Sequence, residues 1–233
     1  MRALRILLVV AVIVSGIFVI VDRVAVNFAE SEVAKRVQSQ QGLTGATDVS
    51  IKGFPFLTQV AAKHLDQVDV SVVGVEASAE GRKVRISEMT AELHDVRVTG
   101  SVSGFSSATA DLANGTARIS YADLSKASDS EFPVSYGGNG KVKVTGSAEF
   151  PGVGVVKRSV LSSVSVVDGT TIRVRADEVP GEGIPGVEEK IREKTDFDRQ
   201  IGGLPEGLKL EKVEATEDGL EVSVTGTNVG LAG

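Results

Sequence analysis

The sequence predicts an α+β fold: an N-terminal membrane-anchor helix continues into an amphipathic helix, which packs on a strongly curved antiparallel β-sheet. Three observations support this fold. The chain opens with an uninterrupted apolar run of 16 residues at 6–21. An apolar repeat of four residues follows between Val24 and Gln40, which is typical of a helix. From Val49 onward the apolar period changes to two, which is typical of strands with one wet face.

The apolar run Ile6–Val21 indicates a membrane anchor. It follows Arg2 and Arg5 and would span about 24 Å as a helix, a little short of the hydrocarbon core unless its flanking residues contribute. It is longer than the apolar part of a typical signal peptide, and no small-residue cleavage pattern follows it. We therefore expect a retained signal anchor; the alternative is a cleaved signal peptide, with cleavage after Val26 or Ala29.

The arginine-bearing terminus is expected to stay in the cytoplasm. The sequence thus predicts a single-pass protein of the cell membrane, with an anchor at 1–23 and one extracytoplasmic domain, residues 24–233, in the cell envelope.

That domain carries 22 basic and 30 acidic residues, a formal charge of −8. Such a charge argues against nucleic acid as a partner, because nucleic-acid binding requires a basic surface.

Residue types that carry catalysis are scarce. The chain has no cysteine and two histidines, His64 and His94, which lie outside any zinc-binding spacing. The glycines around Val102 resemble a nucleophile elbow, but the nucleophilic serine is missing. We predict no catalytic residues, no metal and no cofactor, and hence a protein that is not an enzyme. A hydrolase with an unrecognised carboxylate site is one alternative hypothesis.

The helix after the anchor carries an apolar stripe that should face the domain. Its members recur every fourth residue, with Phe28 beside them: Ala25, Ala29, Val33 and Val37. A second amphipathic helix is predicted near residues 186–200, and Ser120 with Asp123 resembles a capping box at the start of a short helix.

Alternating segments and turn residues predict a meander of antiparallel strands. The clearest strands are residues 68–72, 142–150, 172–176 and 220–224. Hairpin turns are expected at four pairs that tolerate positive φ: Asn114-Gly115, Asn139-Gly140, Asp168-Gly169 and Asp218-Gly219. Between Lys83 and Val98 the apolar phase slips twice, which predicts either one curved strand with two β-bulges or two shorter strands.

The segment Ile51–Val60 concentrates aromatic residues in a chain with only eight Phe, two Tyr and no Trp. Pro55 excludes an ordinary central strand and, with Gly53, shapes a bend. Two interpretations remain open for the rings in this bend. They either close one end of the core or form an apolar lip at a lipid cavity or a membrane.

The same segment carries a family resemblance. The motif G-F-P-F-L-T-Q-V at residues 53–60, followed by V-D-V at 68–70, resembles the LmeA-like phospholipid-binding family of actinobacteria. Weaker matches are I-S-Y-A-D-L at 119–124, L-P-E-G-L at 204–208 and G-L-E-V at 219–222. The chain departs from the family at Ala62-Lys63-His64, where many members have a glycine.

The resemblance implies an envelope protein that binds phospholipid without turnover, and a weaker likeness to tubular lipid-binding proteins implies acyl chains between helix and sheet. The alternative function is a non-catalytic scaffold for membrane enzymes of envelope lipid or lipoglycan assembly. The residues expected to contact lipid or membrane are Phe54, Pro55, Phe56, Leu57, Phe28, Val33 and Val37.

Overall fold

The computed structural model describes residues 2–40, 45–79, 82–101, 104–127, 133–150, 154–179, 188–189, 192 and 195–231. It has three helices with complete bounds: α1 (Arg2–Gln40), α2 (Phe56–Ala62) and α3 (Tyr121–Ala127). The first seven strands are β1 (Ala46–Lys52), β2 (His64–Ala79), β3 (Arg82–Ser101), β4 (Gly104–Ile119), β5 (Val134–Gly138), β6 (Lys141–Phe150) and β7 (Gly154–Val167). The others are β8 (Thr171–Ala176), β9 (Phe197–Gln200), β10 (Leu208–Ala215) and β11 (Leu220–Leu231).

The predicted α+β fold is confirmed, and its strands divide between two antiparallel sheets. The six-stranded sheet has the order β1-β2-β3-β4-β11-β10, and the five-stranded sheet has the order β5-β6-β7-β8-β9. Strands that pair with each other are consecutive along the chain, except where β11 pairs with β4. The expected meander is therefore present, with one long-range pairing that joins the C-terminal hairpin to the first sheet.

Two apolar clusters hold the elements together. In the first, Val26 of α1 packs with Phe56 of α2 and with buried residues of the six-stranded sheet: Val49, Ile51, Val68, Val96 and Ala110. In the second, Val142 packs against β10 and β11 through Leu210, Val213, Ala215, Leu220 and Val222. The second cluster joins the two sheets, and the first joins α1 to the six-stranded sheet.

Three of the four expected turns are confirmed. Asn139 and Asp168 have φ of 51° and 54°, and each precedes a glycine of positive φ in the link between two paired strands. Asp218-Gly219 joins β10 to β11. The turn at Asn114-Gly115 is wrong, because both residues lie inside β4 and pair with β3 and β11.

The segment with the phase slips is a single strand, β3, and the predicted β-bulges are wrong. Asp95 has φ of 52°, yet the register with β2 and β4 continues unchanged on both sides of it. The neighbouring strands β2, β4 and β11 each have an irregular residue at the same level of the sheet. Asp66, Asp111 and Asn228 lie level with Asp95, and each is flanked by residues that are paired. A row of irregular residues therefore crosses four strands, and the same face stays apolar on both sides of it.

The structure also tests the sequence signals that mark the ends of the short helices. The Ser120 hydroxyl accepts the backbone N–H of Asp123 at 3.1 Å and donates to its carboxylate, which confirms the capping arrangement at α3. Lys63 ends α2 with φ of 55°, in the conformation that a glycine adopts most easily.

Of the second amphipathic helix, residues 188, 189, 192 and 195 are helical, and the rest up to 194 lie outside the described residues. Residues 197–200 form β9 instead, because they pair with β8.

Candidate functional site

The candidate site is built around Asp22, the residue that directly follows the apolar run. Its carboxylate is fully buried, and Oδ1 accepts the backbone N–H of Leu57 at 2.8 Å. Leu57 lies in the first turn of α2, whose own N-cap residue, Pro55, supplies no side-chain acceptor. Asp22 therefore satisfies an N–H that the helix leaves unpaired, and it holds the start of α2 where the apolar run ends.

Two further polar contacts fix α1 to β1, which lies at the edge of the six-stranded sheet. Glu30 Oε1 accepts the backbone N–H of Ile51 at 2.7 Å, and Gln38 Nε2 donates to the carbonyl of Gly45 at 3.1 Å. With Asp22, these contacts recur every eight residues, or about 12 Å along a helix. Glu30 and Gln38 satisfy backbone groups in and directly before the edge strand, and together with the Asp22 contact to α2 they fix α1 to the domain over about 24 Å.

The face of α1 that packs on the sheet is centred on Val26. That side chain is 5% exposed, and Ala25, Ala29 and Val33 pack against the same cluster. Phe28 is 71% exposed because it lies two residues beyond Val26, about 200° around the helix. The expected stripe is thus shifted, with Val33 inside the packing face, Val37 half-buried and Phe28 outside it.

The two rings of the Phe54–Leu57 segment have different environments. Phe56 is 6% exposed and belongs to the first apolar cluster, and Leu57 packs against that cluster. Phe54 is 53% exposed, and the guanidinium carbon of Arg23 lies 5.1 Å from the centre of its ring. Pro55 is half-buried between them. Phe56 therefore fits the core interpretation, whereas Phe54 remains available for contact with a ligand or a membrane.

The titratable pairs that the structure describes lie on the surface or make structural contacts. His64 Nε2 lies 3.3 Å from Asp95 Oδ1, with both side chains exposed, and no described group of three His, Asp or Glu is placed to hold a metal ion. Burial, with a contribution from Tyr136, raises the pKa of Tyr121, whose hydroxyl donates to the carbonyl of Thr216 at 2.6 Å. This bond ties α3 to the turn before β11 and suggests no acid–base chemistry.

Sequence reasoning did not anticipate the role of Asp22 or the helix α2. No local pattern indicates the role of Asp22, because its partner lies 35 residues later. A local signal for α2 did exist: Pro55 directly precedes residues Phe56, Gln59 and Val60, whose spacing is helical.

Comparison with known proteins identifies the family. The model of the family described as LmeA-like phospholipid-binding matches residues 20–225. The chain belongs to the LmeA-like phospholipid-binding family. No curated protein and no solved structure matches it.

The match covers most of the LmeA-like chain, from just before Asp22 to β11, and so includes the polar contacts of Asp22, Glu30 and Gln38 described above. Family membership supports a phospholipid-binding role, and binding rather than catalysis. Within the described residues, α1 contains one segment, Leu8–Gln38, that is long and apolar enough to cross a membrane, which is compatible with anchoring.

Proposed function

We propose that this LmeA-like protein is a membrane-anchored, extracytoplasmic phospholipid-binding protein of the cell envelope. Residues 6–21 cross the membrane with the N-terminus in the cytoplasm, and the domain holds acyl chains between α1 and the six-stranded sheet. The observation that carries this proposal is the contact between Asp22 and Leu57. It brings Phe54 and the start of α2 next to the end of the apolar run, which supports entry of lipid beside the bilayer.

The packing of α1 supports a retained anchor. Cleavage after Val26 would remove the buried acceptor Asp22 together with Ala25 and Val26, and cleavage after Ala29 would also remove Ala29 of the packing face. Either product would lose part of its first apolar cluster and the contact that organises α2. A signal anchor that stays attached keeps both.

The inner face of the six-stranded sheet offers a surface for acyl chains. On β4 the part of this face nearest α1 consists of small residues, Ala108 and Ala110, between the longer apolar side chains of β3 and β11. Transfer of an acyl chain to such a surface stabilises the complex by about 0.8 kcal/mol per CH₂. Binding can therefore be strong without attraction from net charge, which is negative in this domain.

The candidate residues then divide into two groups. The exposed rings, Phe28 and Phe54, contact the bilayer or the entering lipid. The packed residues, Phe56, Leu57 and Val33, form the apolar wall on which the chain lies, with Pro55 and Val37 at its border.

A photoreactive phospholipid tests the proposal. The full chain is reconstituted in vesicles that contain a phospholipid with a diazirine at the end of one acyl chain, and crosslinked peptides are mapped by mass spectrometry. We expect adducts on β2, β3 and β4 as well as on residues 6–21, because a bound chain leaves the bilayer. Adducts confined to residues 6–21 would refute lipid binding by the domain and favour the scaffold for membrane enzymes of envelope assembly.

Two variants of similar exposure sharpen this test. Phe54→Ala should reduce adducts in the domain, because the ring lies where lipid enters. Phe197→Ala on β9 removes a ring that is 47% exposed but lies in the other sheet. The adducts in this variant should therefore match those of the unmodified chain. Equal loss in both variants would contradict the role of Phe54.

A further inference from the structure

A polar groove lies between α1 and β1, on the membrane-distal half of α1. It begins at Asn27, about 7.5 Å along the helix from Asp22, and has a volume of about 380 Å³, within the usual range for ligand sites. Most of its lining side chains can form hydrogen bonds, in contrast to the first apolar cluster. Those that matter here are Asn27, Ser31, Lys35 and Gln38 of α1 and Thr47 and Asp48 of β1.

Two groups that line the groove have no partner among the described residues: one is a buried hydroxyl, and the other is an exposed cation. The Thr47 hydroxyl oxygen is buried and has no hydrogen-bond partner, although nearly all such groups in folded proteins have one. Lys35 is exposed, and its ammonium pairs with no carboxylate among the residues that the structure describes. A ligand with hydrogen-bonding oxygens and a negative charge would satisfy both.

The carboxylates of the groove restrict the ligand further. Asp48 is exposed beside the groove, and Glu30, which also lines it, accepts the N–H of Ile51. A purely anionic ligand would therefore meet repulsion from Asp48. A ligand that carries both a phosphate and an ammonium matches Lys35 on one side and Asp48 on the other.

The groove adjoins the apolar surface where acyl chains would lie. Ala34 and Val49 line the groove and also belong to, or pack against, the first apolar cluster. A lipid with its headgroup in the groove can thus direct its chains onto the face between α1 and the six-stranded sheet. Polar and apolar parts of one amphipathic ligand would be satisfied by adjacent surfaces.

We propose that this groove binds the phosphoethanolamine headgroup of a phospholipid, with Lys35 on the phosphate and Asp48 on the ammonium. The inference rests on the proposed function, because the lipid must first be bound by the domain. Thr47 and the polar residues of α1 complete the hydrogen bonds of the phosphate and glycerol oxygens.

The test measures lipid selectivity of the full chain. The protein in mild detergent is equilibrated with equal amounts of phosphatidylethanolamine and phosphatidylglycerol, and bound lipid is identified by native mass spectrometry. The unmodified chain should favour phosphatidylethanolamine. Asp48→Asn should lower that preference by about tenfold, and Lys35→Ala should lower binding of both lipids to a similar extent, as expected for loss of one charge-assisted contact. Lys126→Ala, an exposed lysine on α3, is the matched control and should change neither quantity.

The outcomes separate the two proposals. Equal binding of both lipids by all variants would overturn the groove assignment and leave lipid binding by the domain intact. Absence of bound lipid from every variant would overturn both. Glycerophosphoethanolamine should displace bound lipid from the unmodified chain; equal displacement by inorganic phosphate would show a general phosphate site and overturn the headgroup assignment.

Discussion

Replacement of Asp22 tests whether one carboxylate joins the anchor to the domain. In Asp22→Ala the N–H of Leu57 loses its acceptor in a buried site, which costs about 1–3 kcal/mol, and loss of a helix cap alone costs about 0.5–2 kcal/mol. Part of this loss is offset, because Asp22 Oδ2 has no hydrogen-bond partner, only an ion pair with Arg23 Nη2 at 3.8 Å, and burial of a carboxylate oxygen without a hydrogen bond is unfavourable. We expect a net loss of about 1–2 kcal/mol, which lowers the melting temperature by about 2–8 °C.

Asp22→Asn separates the hydrogen bond from the charge. The amide oxygen can still accept the N–H of Leu57, so this variant should stay within about 0.5 kcal/mol of the original chain. Thermal unfolding of the full chain in detergent gives the stability, and hydrogen–deuterium exchange of the peptide 53–60 reports the contact itself. Exchange should rise in Asp22→Ala alone. Glu32→Ala, an exposed change on the same helix, is the control. The reasoning fails if Asn destabilises as much as Ala, or if exchange of the peptide is unchanged in both.

Three further predictions concern individual residues. Phe56→Ala should cost about 3–5 kcal/mol because the ring is buried, whereas Phe54→Ala should change the urea midpoint little; equal midpoints would contradict this difference. Asn228 has φ of 51°, so Asn228→Gly should be nearly neutral and Asn228→Val should cost about 1–3 kcal/mol in urea unfolding, and a neutral valine variant would argue against strain there. Hydrogen bonds from Lys141 and Ser163 lower the pKa of Asp177 below 3.8, so its contribution to stability is present above that pH and is lost as the pH falls through the lower folded-state value. The stability of Asp177→Asn should therefore approach that of the original chain in acid, and a difference that is constant with pH would refute this linkage.

Much of the secondary structure could be predicted because it depends on short-range pattern. The apolar period of four through Gln40 predicts α1 as an unbroken helix, and α1 extends to that residue. Asn139-Gly140 and Asp168-Gly169 predict tight turns because these residue types tolerate positive φ, and they form such turns.

The errors have a physical reason in contacts between strands. Gly115 was interpreted as a turn residue, but it lies in β4, where a Cβ atom would approach the carbonyl of Thr90 to 3.0 Å and Cγ2 of Val224 to 3.1 Å. A side chain at this position would be crowded, so the glycine serves close packing rather than positive φ. The phase slips in the apolar pattern of β3 predicted bulges because that strand was considered alone. The patterns of the neighbouring strands slip at the same level, so the register between the strands does not change.

The sequence by itself determined the apolar span, the helix that continues from it, the strands and most of their turns, since these follow from hydrophobic period and local backbone preference. Only the tertiary structure decided that the strands form two sheets, that Asp22 caps α2, and that Phe54 is exposed while Phe56 is buried. These features arise between residues that are far apart in the chain, such as β4 and β11 or α1 and Leu57. The hydrophobic period of a segment specifies which of its faces is apolar. Which other element packs on that face is determined only when the whole chain folds.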